Sequence, residues 1–158
     1  MNYAEDVKAN GCVSALIEYK DGSTKVVEFK NTLVRTGRAA MASALTNAVS
    51  KDFNLYINRM IFGDGGTVNG TLRFVNSDRN GLFGITRASK PVIASIDPNN
   101  NTQAIFTSVV TFQEANGFTL NEMALQLATG DLYSMATFPD LGKTNQMQIT
   151  WNWRLSFV

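Results

Sequence analysis

The 158-residue chain has no histidine, which removes the commonest general base at neutral pH and the commonest neutral metal ligand. Its single cysteine, Cys12, rules out an internal disulfide and a cysteine-ligated zinc. Charge is scarce as well: Lys, Arg, Asp and Glu make up 17% of the residues and leave a formal net charge of +1, so no overall field favours nucleic acid or an anionic membrane. Nowhere do eighteen predominantly apolar residues run together, and Met1-Asn2-Tyr3-Ala4-Glu5-Asp6-Val7-Lys8 lacks the basic start and apolar stretch of a signal peptide. These absences predict a soluble chain made in a cytosol, without nucleic acid, membrane or cofactor as partner. Any chemistry would rest on carboxylates, lysines or hydroxyls.

What is there favours β-structure. A hydrophobic content of 44% suffices for one core, while sixteen Asn, fifteen Thr and twelve Gly suit strands joined by tight turns better than long helices. Residues 1–11 show no periodicity and end at Asn10-Gly11, which predicts an extended arm ahead of a single domain over 12–158. Val13, Ala15, Ile17 and Tyr19 then alternate with polar positions, Asp21-Gly22 supplies a turn, and Lys25-Val26-Val27-Glu28-Phe29 returns as the second arm of a hairpin. After Lys30-Asn31-Thr32-Leu33-Val34 the period changes. Met41, Ala44, Leu45, Ala48 and Val49 follow helical spacing and predict a helix over about residues 37–49, capped by Thr36 and covering a sheet through an alanine-rich face.

Leu55 to Phe62 returns to strand composition. Residues 63–90 form a glycine-rich excursion with at most a short hairpin, and a loop of that length in a compact domain is usually functional. Pro91 to Asp97 and Thr102 to Phe112 read as a second hairpin about Pro98-Asn99-Asn100-Asn101, followed by strands over Asn121 to Leu127 and Leu132 to Phe138. From Met147 to Val158 six apolar residues alternate strictly with polar ones, and Trp151, Trp153, Leu155 and Phe157 on that face are candidate core. Together these elements predict a mainly β protein, an antiparallel β-sandwich of jelly-roll or immunoglobulin-like kind with one short helix.

Candidate chemistry is sparse. Phe62-Gly63-Asp64-Gly65-Gly66 would let a backbone approach a phosphate or cation, but the Gly-Lys-Ser/Thr ending, the following helix and the further oxygen ligands are missing, so Asp64 is read as a cap on backbone N–H groups. Nothing in the spacing of Glu114, Glu122, Asp131 and Asp140 brings any two together as a hydrolytic pair. Ser14, Ser43, Ser108 and Ser134 lack a nucleophile elbow, and Cys12 is read as a small buried hydrophobe. Trp151, Trp153, Tyr133 and Phe138 would serve either as core or as a stacking platform, and period-two spacing favours core. The reading therefore contains no catalytic, cofactor-binding or metal-binding residue. Charge is unevenly placed: residues 59–90 carry +3 and residues 113–158 carry −2, so either the two regions dock in neighbouring copies or their charges are simply solvated.

Three blocks carry a resemblance: Gly117-Phe118-Thr119-Leu120-Asn121-Glu122-Met123-Ala124-Leu125, Gly130 to Pro139 with its Ala136-Thr137-Phe138 end, and Lys143 to Trp153 with Ile149-Thr150-Trp151. Together they resemble the closing three strands of small virion proteins of tailed bacteriophages. The front half is similar too, from the first hairpin through Gly37 and the alanine-rich helix to Phe62-Gly63-Asp64-Gly65-Gly66. The resemblance implies a non-enzymatic structural protein of the virion, in the tail, neck, collar, baseplate or fibre base, whose partners are itself as a symmetric oligomer and neighbouring virion proteins. A capsid decoration protein, a module for a host receptor or carbohydrate, and, third, an enzyme are the alternatives. Arg73, Phe74, Arg79, Leu82, Phe83 and Arg87 of the excursion are the expected assembly contacts, with the arginines meeting acidic groups around Glu122 or Asp131 of another copy.

Overall fold

The computed structural model describes residues 8–46 and 54–158. The alternating segments form β1 (Ala9–Tyr19), β2 (Thr24–Lys30) and β3 (Thr32–Leu33), followed by α1 (Arg35–Thr46). The chain continues through β4 (Ile57–Gly63), β5 (Thr67–Val68), β6 (Thr71–Leu72), β7 (Thr86–Pro91), β8 (Ile93–Asp97) and β9 (Asn100–Val110). It closes with β10 (Thr119–Leu127), β11 (Leu132–Gly142) and β12 (Met147–Phe157). Two five-stranded antiparallel sheets pack together: the first in the order β2-β1-β12-β9-β8, the second β3-β11-β10-β4-β7, while β5 and β6 form a small separate ribbon.

β12 lies in the middle of the first sheet, between β1 and β9, with Val13 opposite Trp153 and Trp153 opposite Phe106. The middle of its inward face is enclosed: Ile149, Trp151, Trp153 and Leu155 are buried, while Met147 and Phe157 pack half-buried at the two ends. Trp151 bridges the two sheets. Its ring centroid lies 5.0 Å from Phe62 of β4 and 5.3 Å from Phe138 of β11, and Phe29 of β2 stacks on Phe138 at 4.9 Å. Tilted and offset rings at such separations add to the burial they provide. With those side chains in the core, Trp151, Trp153 and Phe138 are closed to a ligand, and Tyr133 is buried with its hydroxyl on Met41 Sδ at 3.0 Å.

Several boundaries differ from the sequence reading for local reasons. β1 begins at Ala9 because Lys8 and Val158 exchange backbone hydrogen bonds of 2.8 and 2.9 Å, which draws residues 9–11 of the expected arm into the ladder; residues 1–7 lie outside the described residues. The alternation that turns Val13, Ala15 and Ile17 inward turns Cys12 outward, so Cys12 is exposed and not a buried hydrophobe. Pro91 ends β7 and does not begin the next strand, so residues 86–90, expected in the excursion, belong to the second sheet.

The helix starts two residues earlier than expected, and Thr36 sits within its first turn, donating its hydroxyl to the Leu132 carbonyl instead of capping. Its buried stripe is one turn nearer the N-terminus: Gly37 and Ala40 are buried, Met41 is half-buried, and Ala44 and Leu45 face solvent. The reason is the close approach at Gly37, where a Cβ would lie 2.2 Å from the Tyr133 carbonyl oxygen, so contact with β11 is made by the first two turns. Ala48 and Val49 lie outside the described residues.

Truncating Trp153 to alanine removes a side chain with no solvent exposure. The substitution should cost roughly 3 to 5 kcal/mol in chemical denaturation. An unchanged denaturation midpoint would show that the central strand contributes nothing to the core.

Candidate assembly surface

The second sheet differs from the first in being buried on both faces. Its inner face meets the sandwich core, while Ile61, Ala124, Leu132 and Met135 on the outer side form a second cluster with Val34 and Val75, against which Leu82 and Phe83 pack. The covering residues come from the segment between β4 and β7. Five glycines, at 65, 66, 70, 81 and 84, give that segment no core of its own, and it is folded by polar groups of β10.

Glu122 of β10 is fully buried, and its carboxylate accepts three backbone hydrogen bonds: Gly65 N–H and Gly84 N–H on Oε1, both 2.8 Å, and Phe83 N–H on Oε2, 2.7 Å. Beside it, Asn121 accepts from Gly66 N–H at 2.7 Å and donates to Thr67 Oγ1 and Asp140 Oδ1, each at 3.0 Å. The backbones come this close only without side chains: a Cβ at Gly66 would stand 2.1 Å from the Asn121 carbonyl oxygen. Asp64 accepts from Ile85 N–H at 2.9 Å and pairs with Arg87 Nε at 2.5 Å, so it does cap backbone and also forms an ion pair. Burial pushes the Asp64 carboxyl up, but the Arg87 hydrogen bond, the Ile85 N–H and the Arg87 charge outweigh it and hold it below the ordinary carboxylate range. Hydrogen bonds from Thr67 and Asn121 lower Asp140 in the same way.

Of the six residues expected to make assembly contacts, the structure gathers three into one stack. The guanidinium groups of Arg79 and Arg73 lie 4.0 and 5.0 Å from the centroid of the Phe83 ring, and Arg79 also donates to the carbonyls of Gly81 and Leu82. Arg87 lies over Phe118 at 4.4 Å, in addition to its pairing with Asp64. Leu82 is half-buried in the outer cluster. Glu122 is inaccessible, so an arginine of another copy has no carboxylate to meet there; Asp131 is exposed at its own turn.

Phe74 is the outlier among the six, with 86% of its surface exposed. Val68 and Leu72 of the β5–β6 ribbon are exposed near it in sequence, and Leu72 and Phe74 line a shallow groove of about 410 Å³ together with Phe29, Thr32 and Thr137. The groove runs along the side of the sandwich where β2 and β3 lie, and Arg73 and Lys30 stand at it. An apolar patch on a segment this firmly fixed is suited to docking, because little order remains to be imposed on binding. Sequence reasoning missed Glu122 as an internal clamp. The available signal was an acid at the start of an otherwise apolar strand, together with glycines in excess of what turns require.

The family described as phage tail-collar fibre protein, N-terminal, matches residues 26–154 of the chain. No curated protein and no solved structure matches it.

Glu122→Gln keeps the shape of the side chain but turns an NH₂ group toward a backbone N–H. The loss should be about 2 kcal/mol, raising the open population of the segment about 30-fold and with it tryptic cleavage after Arg73 and Arg79. Equal cleavage of variant and parent would assign the anchoring to the arginine stack alone. The depressed Asp64 and Asp140 carboxyls contribute stability while ionised and lose it as pH falls through their folded-state values. Amide protection factors over residues 64–85, exchange being referred to the intrinsic rate at each pH, should therefore fall below about pH 4, the ordinary carboxylate range. Protection that stays constant down to about pH 2 would contradict the anchoring role of the two aspartates.

Proposed function

Because the chain belongs to the phage tail-collar fibre N-terminal family, we propose that its structural role in the tail is exercised as a non-enzymatic, symmetric oligomer that docks to neighbouring virion proteins through the segment between β4 and β7. The match over residues 26–154 carries the tail role, and the geometry of the segment supports the docking. A glycine-rich stretch is held by Glu122, Asn121 and Asp64 so that Phe74 projects from it. The charges of Arg73, Arg79 and Arg87 are already engaged with Phe83, Phe118 and Asp64, which leaves the apolar patch to lead the contact.

This predicts a contact with weak salt dependence, since screening acts on exposed charge pairs and not on apolar burial. The carbohydrate- or receptor-binding alternative loses its aromatic platform, because the two tryptophans are interior. Collar and fibre base are favoured over neck, baseplate and capsid decoration by the family description alone.

Phe74→Asp should leave the thermal midpoint of the isolated protein within about 1 °C, as expected for an exposed position, and should sharply reduce incorporation into particles assembled in its presence. Undiminished incorporation would remove the patch from the docking surface. Deleting the chain's coding sequence tests the tail role itself: particles that retain complete tails with their fibres would overturn it.

A further inference from the structure

Asparagine precedes glycine at Asn10-Gly11, Asn69-Gly70, Asn80-Gly81 and Asn116-Gly117. A glycine nitrogen, with no side chain beside it, is the least hindered backbone nucleophile for the Cγ of a preceding asparagine, and the fold treats the four sites differently. At Asn116 every reacting group is held: Nδ2 donates to the Phe112 carbonyl at 2.9 Å, Oδ1 accepts from Lys143 Nζ at 3.0 Å, and Gly117 N–H donates to the Lys143 carbonyl at 2.9 Å. Asn10 and Gly11 lie in the β1–β12 ladder opposite Ser156 and Leu155, which keeps the backbone between them extended. Asn80 is exposed, but the Gly81 carbonyl is fixed by Arg79 Nε and Nη2, at 3.2 and 2.9 Å, in the stretch that Glu122 anchors at Phe83. Asn69-Gly70 differs from all three. Both residues are exposed, and neither the Asn69 side chain nor Gly70 N–H has a hydrogen-bond partner among the described residues.

We propose that Asn69 is a self-modifying site, converted without any enzyme to aspartate and isoaspartate through a cyclic imide formed with Gly70. The β5–β6 ribbon turns on these two residues, with Val68 opposite Thr71, and φ values of 49° at Asn69 and 77° at Gly70 make the turn type I′. The five-membered imide ring eclipses Cβ with the glycine nitrogen about the Cα–C bond. For an L residue that eclipse falls at ψ of about −120°, the first central value of a type II′ turn, against about +30° in type I′. The two turns differ by a flip of the one peptide between their central residues. Gly70 accepts either sign of φ, so the flip leaves the pairing of β5 with β6 in place, and the attacking geometry is reached without unfolding. Hydroxide then removes the Gly70 amide proton, the nitrogen bonds to Cγ, and the Cγ–Nδ2 bond breaks, releasing ammonia that takes its proton from water. Water opens the ring at either carbonyl: breaking the bond from nitrogen to Cγ leaves aspartate, and breaking the original peptide bond leaves isoaspartate with an added methylene in the main chain. Either product places a negative charge in the ribbon between Val68 and Leu72, both exposed.

The test uses the purified full chain, incubated folded in mildly alkaline buffer and in parallel in denaturant, then digested with trypsin and weighed by mass spectrometry. Peptides 9–20, 60–73 and 80–87 carry Asn10, Asn69 and Asn80 separately, and 88–143 carries Asn116. In denaturant all four sites should gain one mass unit at comparable rates. In the folded chain, 60–73 should convert about tenfold faster than each of the others, which must first open locally. Passage through the ring yields both products, so isoaspartyl methyltransferase should label the converted 60–73 peptide. Aspartate as the sole product would overturn the ring, and conversion of 60–73 no faster than the other three in the folded chain would overturn the assignment to Asn69. One consequence rests on the proposed docking role: Asn69→Asp, which sets a charge beside the apolar patch, should be incorporated into particles less well than the parent. Equal incorporation overturns that consequence, whereas the mass measurements involve no particle and stand or fall apart from the docking role.

Discussion

A buried carboxylate satisfied by backbone alone is the constraint on which the outer half of this molecule depends. Desolvating an ion costs several kcal/mol even after relaxation, and Glu122 has no cation within ion-pairing distance among the described residues. Three N–H groups, from Gly65, Phe83 and Gly84, offset that cost by reaching it from two separated stretches of one segment. Once the three donors are in place, the path of the chain from Gly63 to Gly84 has little freedom left. Leu82, Phe83 and Val75 are thereby set over the outer face of the second sheet. Leaving Glu122 without its donors would expose both the charge's unmet hydrogen-bonding capacity and the apolar face beside it, so the polar clamp and the outer cluster support each other.

Legibility in the sequence followed the kind of force at work. Hairpins and the central strand β12 were readable because burial on one face of a strand writes itself as period two, and Trp151, Trp153 and Leu155 occupy that period without interruption. The same period, read one residue earlier in β1, places Cys12 outward; its exposure was available from parity, and only the habit of burying cysteine hid it. The helix could not be placed from its apolar stripe, since alanine occurs on both faces and the docking point is set by the gap at Gly37. The segment between β4 and β7 was opaque for a deeper reason. Its contacts run between glycine backbone and the side chains of Glu122, Asn121 and Asp64, a pattern that has no periodicity and no hydrophobic signature.

The arginines show how composition misleads when partners are internal. A net positive stretch beside a net negative one suggests complementary docking, yet Arg79 and Arg73 are engaged with Phe83 and Arg87 with Asp64 and Phe118 in the same chain. Cation–π contacts and carbonyl acceptors hold guanidinium groups about as well as carboxylates do at a partly exposed site, and they stiffen the aromatic they touch. Lys143 follows the same economy. It is buried and donates to Asn116 and to the Thr144 carbonyl, with burial lowering its pKa against the opposing pull of Glu114. The charges left free to steer association lie elsewhere, among them Lys25, Glu28 and Lys30 of β2 and Arg154 of β12, all exposed.

The two sheets thus divide the surface by what covers them. The second sheet has spent both faces: its outer side serves as a floor for the segment bearing Phe74, and its free edges are guarded by brevity at β3 and by charge and proline at β7. The first sheet keeps an outer face of mixed polar residues, with Ser14, Asn152 and Thr107 in one row across three strands, and one unguarded edge at β8. The groove beside Phe74 and the β8 edge lie on opposite lateral sides of the sandwich, because the groove sits at the β2–β3 side and β8 ends the sheet order at the other, so whatever occupies the groove leaves that edge untouched.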